Sequence, residues 1–153
     1  MPLYVQGSIA QPAAGADLSY LPDFTDAFRL LTLRVQLTTA VAAANRYPHF
    51  QFVTASGEVM HEVVAAAAQV ASTTITYLLV GAGGSSTNGG VLTDNTSGLA
   101  LPDIWWPAGT RLRTATTAIQ AADQWSSSFF TLHVGREHEH LQYLMEIAEN
   151  TAE

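Results

Sequence analysis

The segment Phe28–Thr38 alternates apolar and polar side chains, and this pattern restricts the fold more than any other feature of the sequence. One side of the extended chain carries four apolar residues: Leu31, Leu33, Val35 and Leu37. A period of two predicts a β-strand with one buried face and one solvated face. Shorter segments of the same kind recur along the chain, separated by turns rather than by helices. About eight such strands predict an all-β protein, an antiparallel β-sandwich or jelly roll.

The other predicted strands are short, with turn signals between them. They are Leu3–Ile9, Leu18–Leu21, His49–Val53, Glu58–Val64, Ser72–Val80, Leu99–Trp106, Arg111–Ile119 and Ser128–Val134. The alanine-rich stretch Val63–Ala71 indicates either an extended segment or a single helical turn. Gly81–Ser97 is polar and glycine-rich, which predicts a long exposed loop.

All three tryptophans of the chain, Trp105, Trp106 and Trp125, lie within a stretch of 21 residues. The turn Pro107–Gly109 follows the first two, and a second turn, Ala121–Gln124, precedes the third. This order predicts strand, turn, strand, turn, strand, with three strands in register. Large aromatic residues beside strong strand patterns favour a core role for the tryptophans over a carbohydrate-stacking platform.

The charge pattern excludes several classes of partner. Charged residues make up 12% of the chain, about half of the roughly 25% that is typical, which indicates either a surface covered by partners or one rich in Thr, Ser and Gln. The net charge is −7, the six basic residues are all arginine, and a basic stripe for phosphates is missing. We therefore expect neither nucleic acid nor an anionic membrane as a partner. The chain has no cysteine, so disulfides and thiolate metal sites are excluded, and we expect neither a signal peptide nor a membrane span.

The motifs that resemble catalytic or cofactor sites are incomplete. Gly81–Gly90 lacks the Gly-Lys-Ser/Thr of a phosphate-binding loop. His138 and His140 lack the four-residue spacing of a zinc-protease helix, because position 142 is Gln. No nucleophile elbow is present. We expect no enzyme activity, no cofactor and no metal. His49, His61 and His133 lie in predicted strands and are expected on sheet surfaces; a metal-dependent enzyme of cupin type would require them to converge.

Five segments together resemble small virion proteins of tailed bacteriophages: Ala43–Phe52, Gln69–Tyr77, Leu99–Pro102, Pro107–Gly109 and Ala121–Ser126. The resemblance covers residues 28 to 134. It implies a β-sandwich virion component, and most specifically a capsid decoration (cement) protein. Such a protein binds the major capsid protein on the outer surface of the head, commonly as a homotrimer, after assembly in the host cytoplasm. An acidic, lysine-free chain suits the outside of the shell better than its DNA-facing inside.

The chain is accordingly divided into an N-terminal arm (1–27), a sandwich domain (28–134) and a C-terminal tail (135–153) with a short amphipathic helix at Glu137–Asn150. The two ends lie outside the resemblance and are where we expect contacts with partners. The residues predicted to make them are Leu3, Tyr4, Val5, Leu141, Tyr143 and Leu144. The alternative is a head–tail connector, a tail protein or a glycan-binding appendage of the virion. A glycan-binding protein would present exposed tryptophans on a concave face.

Overall fold

The computed structural model describes residues 3–81, 91–93 and 96–135. The predicted C-terminal helix lies outside these residues, as do His138, His140, most of the Gly81–Gly90 loop, and Leu141, Tyr143 and Leu144. The described residues form strands and no α-helix. Within them, no helix has the length and apolarity that crossing a membrane requires.

Ten strands make up the described part of the chain. They are β1 (Leu3–Gly7), β2 (Ser19–Tyr20), β3 (Phe28–Thr38), β4 (Tyr47–Val53), β5 (Val59–Val64), β6 (Thr74–Val80), β7 (Val91–Thr93), β8 (Thr96–Ala100), β9 (Arg111–Thr117) and β10 (Gln124–Val134). One sheet has the order β1-β10-β3-β6-β8-β7, and the other has the order β2-β9-β4-β5. The predicted all-β architecture with two sheets is confirmed.

The order of the strands identifies the kind of sandwich. When β7 and β8 are set aside and the other strands are renumbered along the chain, the sheets have the orders 1-8-3-6 and 2-7-4-5. This is the jelly-roll arrangement, in which the chain crosses repeatedly between two facing sheets and, of these strands, only β4 and β5 are successive members of one sheet. The pair β7 and β8 extends the first sheet, and β8 runs parallel to β6.

Aromatic side chains from both sheets meet in the core. Trp125 of β10 is fully buried, with its ring centroid 5.9 Å from that of Phe50 and 6.0 Å from that of Tyr77. Phe52 stacks on Trp106 with a centroid separation of 4.5 Å. Burial raises the pKa of the Tyr77 phenol, and its hydroxyl donates to the side chain of Gln69.

The predicted strand Phe28–Thr38 has the observed bounds, but its alternation breaks at one residue. The pairing of β10 with β3 shifts between Thr131 and Leu132, whose partners are Thr32 and Leu30, so Leu31 has no opposite residue. An extra residue of this kind is a β-bulge and changes which face the following side chains occupy. Leu30 is therefore buried and Leu31 only half-buried, which corrects the assignment of Leu31 to the buried face.

The predicted arm contributes to both sheets. β1 pairs antiparallel with β10, and β2 pairs with β9. Ile9 and Leu18, which lie between these strands, are buried in the core. Residues 3–27 therefore lie against the rest of their own chain.

A turn between β1 and β2 places strict demands on Gly15. Its φ angle is +80°, and a Cβ atom there would lie 2.9 Å from the backbone oxygen of Ala121. We expect Gly15→Ala to lower the free energy of unfolding by about 2–4 kcal/mol, because left-handed strain and a backbone clash add together. The control is Gly109→Ala, where φ is +88° but the added atom meets nothing within 4 Å. Denaturant unfolding that gives equal losses for the two variants would contradict the clash.

The tryptophan stretch does not form three strands in register. β8 ends at Ala100, and Trp106 is held to β3 only by an isolated bridge, in which it exchanges backbone hydrogen bonds of 2.9 and 2.7 Å with Phe28. Pro102 and Pro107 cannot donate to a ladder, which interrupts a strand on both sides of the pair. In addition, β9 and β10 belong to different sheets. Trp106 and Trp125 are buried as predicted, whereas Trp105 is half-exposed.

Two further predictions concern irregular segments. Gly81–Ser97 was expected to be a loop throughout, but Val91–Thr93 and Thr96–Ala100 are strands. In the Val63–Ala71 stretch the extended alternative is observed, and Gln69 bridges to Arg46 through paired backbone hydrogen bonds.

A fully buried ion pair fixes the loops at one end of the sandwich. Arg46 donates from Nε and Nη2 to the two carboxylate oxygens of Asp123, at 2.9 Å each. The same carboxylate accepts the backbone N–H groups of Ala40 at 2.8 Å and Gln120 at 2.7 Å. Burial acts to raise the pKa of Asp123, but these hydrogen bonds and the charge of Arg46 lower it overall. Asp123 thus joins the β3–β4 loop to the β9–β10 loop, which goes beyond the local turn predicted for it.

Candidate functional site

The strand histidines lie in three separate places. His49 is on the outer face of the four-stranded sheet, and His61 is half-buried beside Phe52 and Trp106. His133 is buried on the outer side of the six-stranded sheet. The described residues contain no group of three or more His, Cys, Asp or Glu side chains able to hold a metal. These three histidines therefore do not converge as a cupin-type metal site would require.

The outer face of the six-stranded sheet carries half-exposed aromatic residues. Tyr4 is 57% exposed, Phe129 45% and Trp105 40%. Phe129 lies opposite the exposed Arg34 of β3. We call this surface the aromatic face and define it by Tyr4, Arg29, Arg34, Trp105 and Phe129.

One end of the aromatic face is built around His133. The imidazole stacks on Tyr4 with a centroid separation of 4.8 Å and a 20° angle between rings, and Trp105 packs on it at 4.8 Å. Arg29 lies 5.0 Å from the Trp105 ring centroid and donates from Nη2 to His133 Nδ1 at 3.0 Å. Since a guanidinium only donates, Nδ1 is the acceptor. These two aromatic rings cover His133, so the expectation of a surface position is wrong for this histidine.

Of the predicted contact residues, those on β1 are described. Tyr4 lies on the aromatic face, while Leu3 and Val5 are half-buried and point toward the other side of the sheet. Val5 packs against the core. Their role as a partner interface remains a prediction.

The outer face of the four-stranded sheet contains a shallow depression of about 460 Å³. We call it the polar depression. Its lining residues come from β4, β5, β9 and the segment before β2: Asp17, His49, Gln51, Glu62, Ala115, Thr116 and Thr117. Ala115 lies opposite His49 in the pairing of β4 with β9, and its small side chain leaves the space open.

Hydrogen bonds fix the walls of the polar depression. Glu62 accepts from Gln51 Nε2 at 2.6 Å and pairs with His49 Nδ1 at 3.0 Å. Hydrogen bonds from Gln51 and then from His49 lower the pKa of Glu62. Arg113 donates to the Gln51 oxygen at 2.9 Å, which orients the amide. On the other side of His49, Nε2 is 3.4 Å from the hydroxyl of Thr117, which is long for a hydrogen bond.

Asp17 forms the opposite wall. Its carboxylate accepts from the hydroxyls of Thr114 at 2.9 Å and Thr116 at 2.6 Å, and from the backbone N–H of Thr116 at 3.1 Å. Trp125 Nε1 lies 3.3 Å from the same group. The carboxylate is therefore held in one position by donors from β9 and β10.

Comparison with known proteins gives only distant likenesses. No protein-family model matches the chain, and no curated protein matches its sequence. Among solved structures, one of the infectious bursal disease virus Gx strain shares 10% identity at a TM-score of 0.44, over 88% of this chain and 32% of that one. The VP2 subviral particle of the same virus shares 14% identity at a TM-score of 0.39, over 87% and 32%.

A Bacillus endospore appendage that forms disulfide-linked pili shares 8% identity at a TM-score of 0.33, over 88% of this chain and 84% of that one. The chain thus spans about a third of the viral proteins that it matches. At these TM-scores and identities, none of the likenesses bears on what this chain does.

Of the residues that form these two surfaces, the sequence identified only Tyr4 as a contact residue. One sequence feature points to the exposure of Trp105. This tryptophan lies between Pro102 and Pro107, and the interior of a strand rarely accommodates proline. No sequence feature points to the polar depression, since its residues are brought together only by the pairing of β9, β4 and β5.

Proposed function

We propose that this chain is a structural protein of a bacteriophage virion, of the decoration (cement) type, and that it acts by binding rather than by chemistry. The observation that carries the proposal is the aromatic face. Tyrosine, tryptophan and arginine are the residues most enriched where protein interfaces gain most of their binding energy. On this chain they share one sheet face, and Arg34 is exposed among them.

The electrostatics of the face support a protein partner. Arg29 pairs with Asp103 at the rim at 2.8 Å. Among the described residues, Arg34 has no ion pair, so a carboxylate of the partner is its natural complement. A net charge of −7 disfavours nucleic acid and the DNA-facing side of a shell.

The fold is compatible with this role by analogy alone. Jelly rolls occur in viral capsid and lectin domains and also in cupins, so the architecture does not choose among them. The resemblance to tailed-phage virion proteins favours the first, and the separated histidines count against the last. We propose the major capsid protein as the partner and the outer surface of the head as the location, with a homotrimer as the bound form.

The test uses phage heads that lack this protein. We expect purified protein to bind them and to raise the temperature at which they open, as measured by sedimentation and differential scanning fluorimetry. Absence of binding by the wild-type protein would overturn the proposed function.

Two tyrosines provide a matched pair for locating the interface. We expect Tyr4→Ala to weaken head binding about tenfold or more, as for a residue at an interface hot spot. Tyr47→Ala removes a similarly exposed tyrosine from the outer face of the other sheet and should leave binding unchanged. Equal affinities of the two variants would show that the aromatic face is not the docking surface.

A further inference from the structure

We propose that the polar depression binds a neutral saccharide. This inference does not rest on capsid binding, because it concerns the opposite sheet and a different ligand. The depression combines features that a sugar requires and that a flat protein interface does not: a gap in the sheet surface, fixed polar groups around it and an aromatic ring beside it.

The gap exists because of one side chain. On the outer face of β9, Ala115 lies between Arg113 and Thr117 and opposite His49. Each of these neighbours is longer than alanine, so the space above Ala115 stays empty. Its volume of about 460 Å³ lies within the range of small-ligand sites.

The polar groups are suited to hydroxyls. A sugar hydroxyl both donates and accepts, and the depression offers carboxylate acceptors together with the donor and acceptor groups of His49 and Thr117. The 3.4 Å separation of His49 Nε2 from the Thr117 hydroxyl leaves both groups with capacity for a better-placed partner. Glu62 keeps free lone pairs while two donors fix its position. Asp17 already accepts from four donors, three of them at Oδ1, so that only Oδ2 has room for a further donor.

Charge distinguishes a neutral sugar from an ion. Two carboxylates on opposite walls disfavour an anionic ligand. A cation would gain less binding free energy here than two bare carboxylates would provide, because hydrogen-bond donors already surround both carboxylates. No group of three metal-ligating side chains occurs among the described residues.

An aromatic residue lies next to the depression, paired with its lining residue Thr117. Tyr47 pairs with Thr117 at the end of the same row of outward side chains and is exposed. A tyrosine ring presents an apolar face and a polar tip, which suits the C–H face of a pyranose. Because the site is shallow, we expect a dissociation constant on the order of 1 mM.

The experiment is a titration of the isotopically labelled full chain, followed by amide chemical shifts. The probes are the methyl glycosides of glucose, galactose and mannose. We expect at least one to give saturable shifts centred on the amides of Glu62, Thr116 and Thr117. If none of the three glycosides gives saturable shifts there, the proposal is overturned.

Three variants sharpen the test. Ala115→Leu should abolish the response by filling the depression, whereas Ala100→Leu makes the same change at an exposed position of the six-stranded sheet and should preserve it. Tyr47→Ala, at an exposed site, should weaken binding about threefold or more while leaving the rest of the spectrum unchanged. Retention of the full response in both Ala115→Leu and Tyr47→Ala would overturn the proposal, as would an equal response to methylammonium.

Discussion

Asp123→Asn should lower the free energy of unfolding by about 3–5 kcal/mol, the largest loss we expect from a single polar substitution in this chain. The change is almost isosteric, but it leaves the guanidinium of Arg46 buried without its counter-charge. Both side chains are fully buried, so solvent cannot compensate. Urea unfolding followed by tryptophan fluorescence measures the loss.

The control is Asp103→Asn, which removes the ion pair to Arg29 by the same substitution. Asp103 is largely exposed, and surface pairs contribute only about 0–1 kcal/mol. If the losses for the two variants were similar, the buried pair would not have the structural role assigned to it.

The dependence of the free energy of unfolding on acidic pH should also change when Asp123 is replaced. The folded-state pKa of Asp123 is lowered below its ordinary value of 3.8. The stability from the pair is therefore complete above that value and is lost as the pH falls through the folded-state pKa. Asp123→Asn should flatten this part of the stability curve, and an unchanged pH profile of unfolding would contradict the assignment.

Trp125→Ala should lower the free energy of unfolding by about 3–5 kcal/mol, the usual range for removing a large aromatic residue from a core. The indole is fully buried between the sheets, against Phe50 and Tyr77. Its removal also deprives Asp17 of a donor. Thermal unfolding by calorimetry would show the loss as a lower Tm.

The same substitution at Trp105 separates stability from binding. Trp105 is half-exposed and packs against His133 and Arg29. We expect Trp105→Ala to cost about 1 kcal/mol in stability but to weaken head binding at least as much as Tyr4→Ala. If Trp105→Ala lowered the free energy of unfolding as much as Trp125→Ala does, both indoles would have to lie in the core.

Local patterns in the sequence were sufficient for strands with one buried face. Phe28–Thr38 was predicted with its observed bounds because its alternation has a single interpretation. The pattern failed where non-local pairing decides the structure. Thr96 and Ser97 look like loop residues, yet they form a strand because β6 offers them a parallel partner. The bulge at Leu31 likewise depends on the register of β10, which no local pattern records.

The candidate surfaces were less predictable than the fold. Tyr4 was identified as a contact residue because it lies in an end segment, but its neighbours Leu3 and Val5 point to the other side of the sheet. The polar depression requires Ala115 to lie beside His49, and β9 and β4 are distant in the chain. The sequence around a small strand residue does not show whether the side chains of the paired strands leave a gap above it.

The pairing of the first strand with the last has a consequence for how the protein is made. The hydroxyl of Ser128 and the backbone of Ile9 exchange hydrogen bonds across 119 residues of sequence, and β1 cannot join its sheet before β10 has been synthesised. Jelly rolls have a high contact order and fold slowly for this reason. On the ribosome, β1 must wait with its apolar side exposed until β10 has emerged, a period in which chaperones or self-association compete for it. The aromatic face, which contains residues of β1, β3 and β10, cannot form before that moment, so a nascent chain that lacks β10 cannot present this surface to a partner.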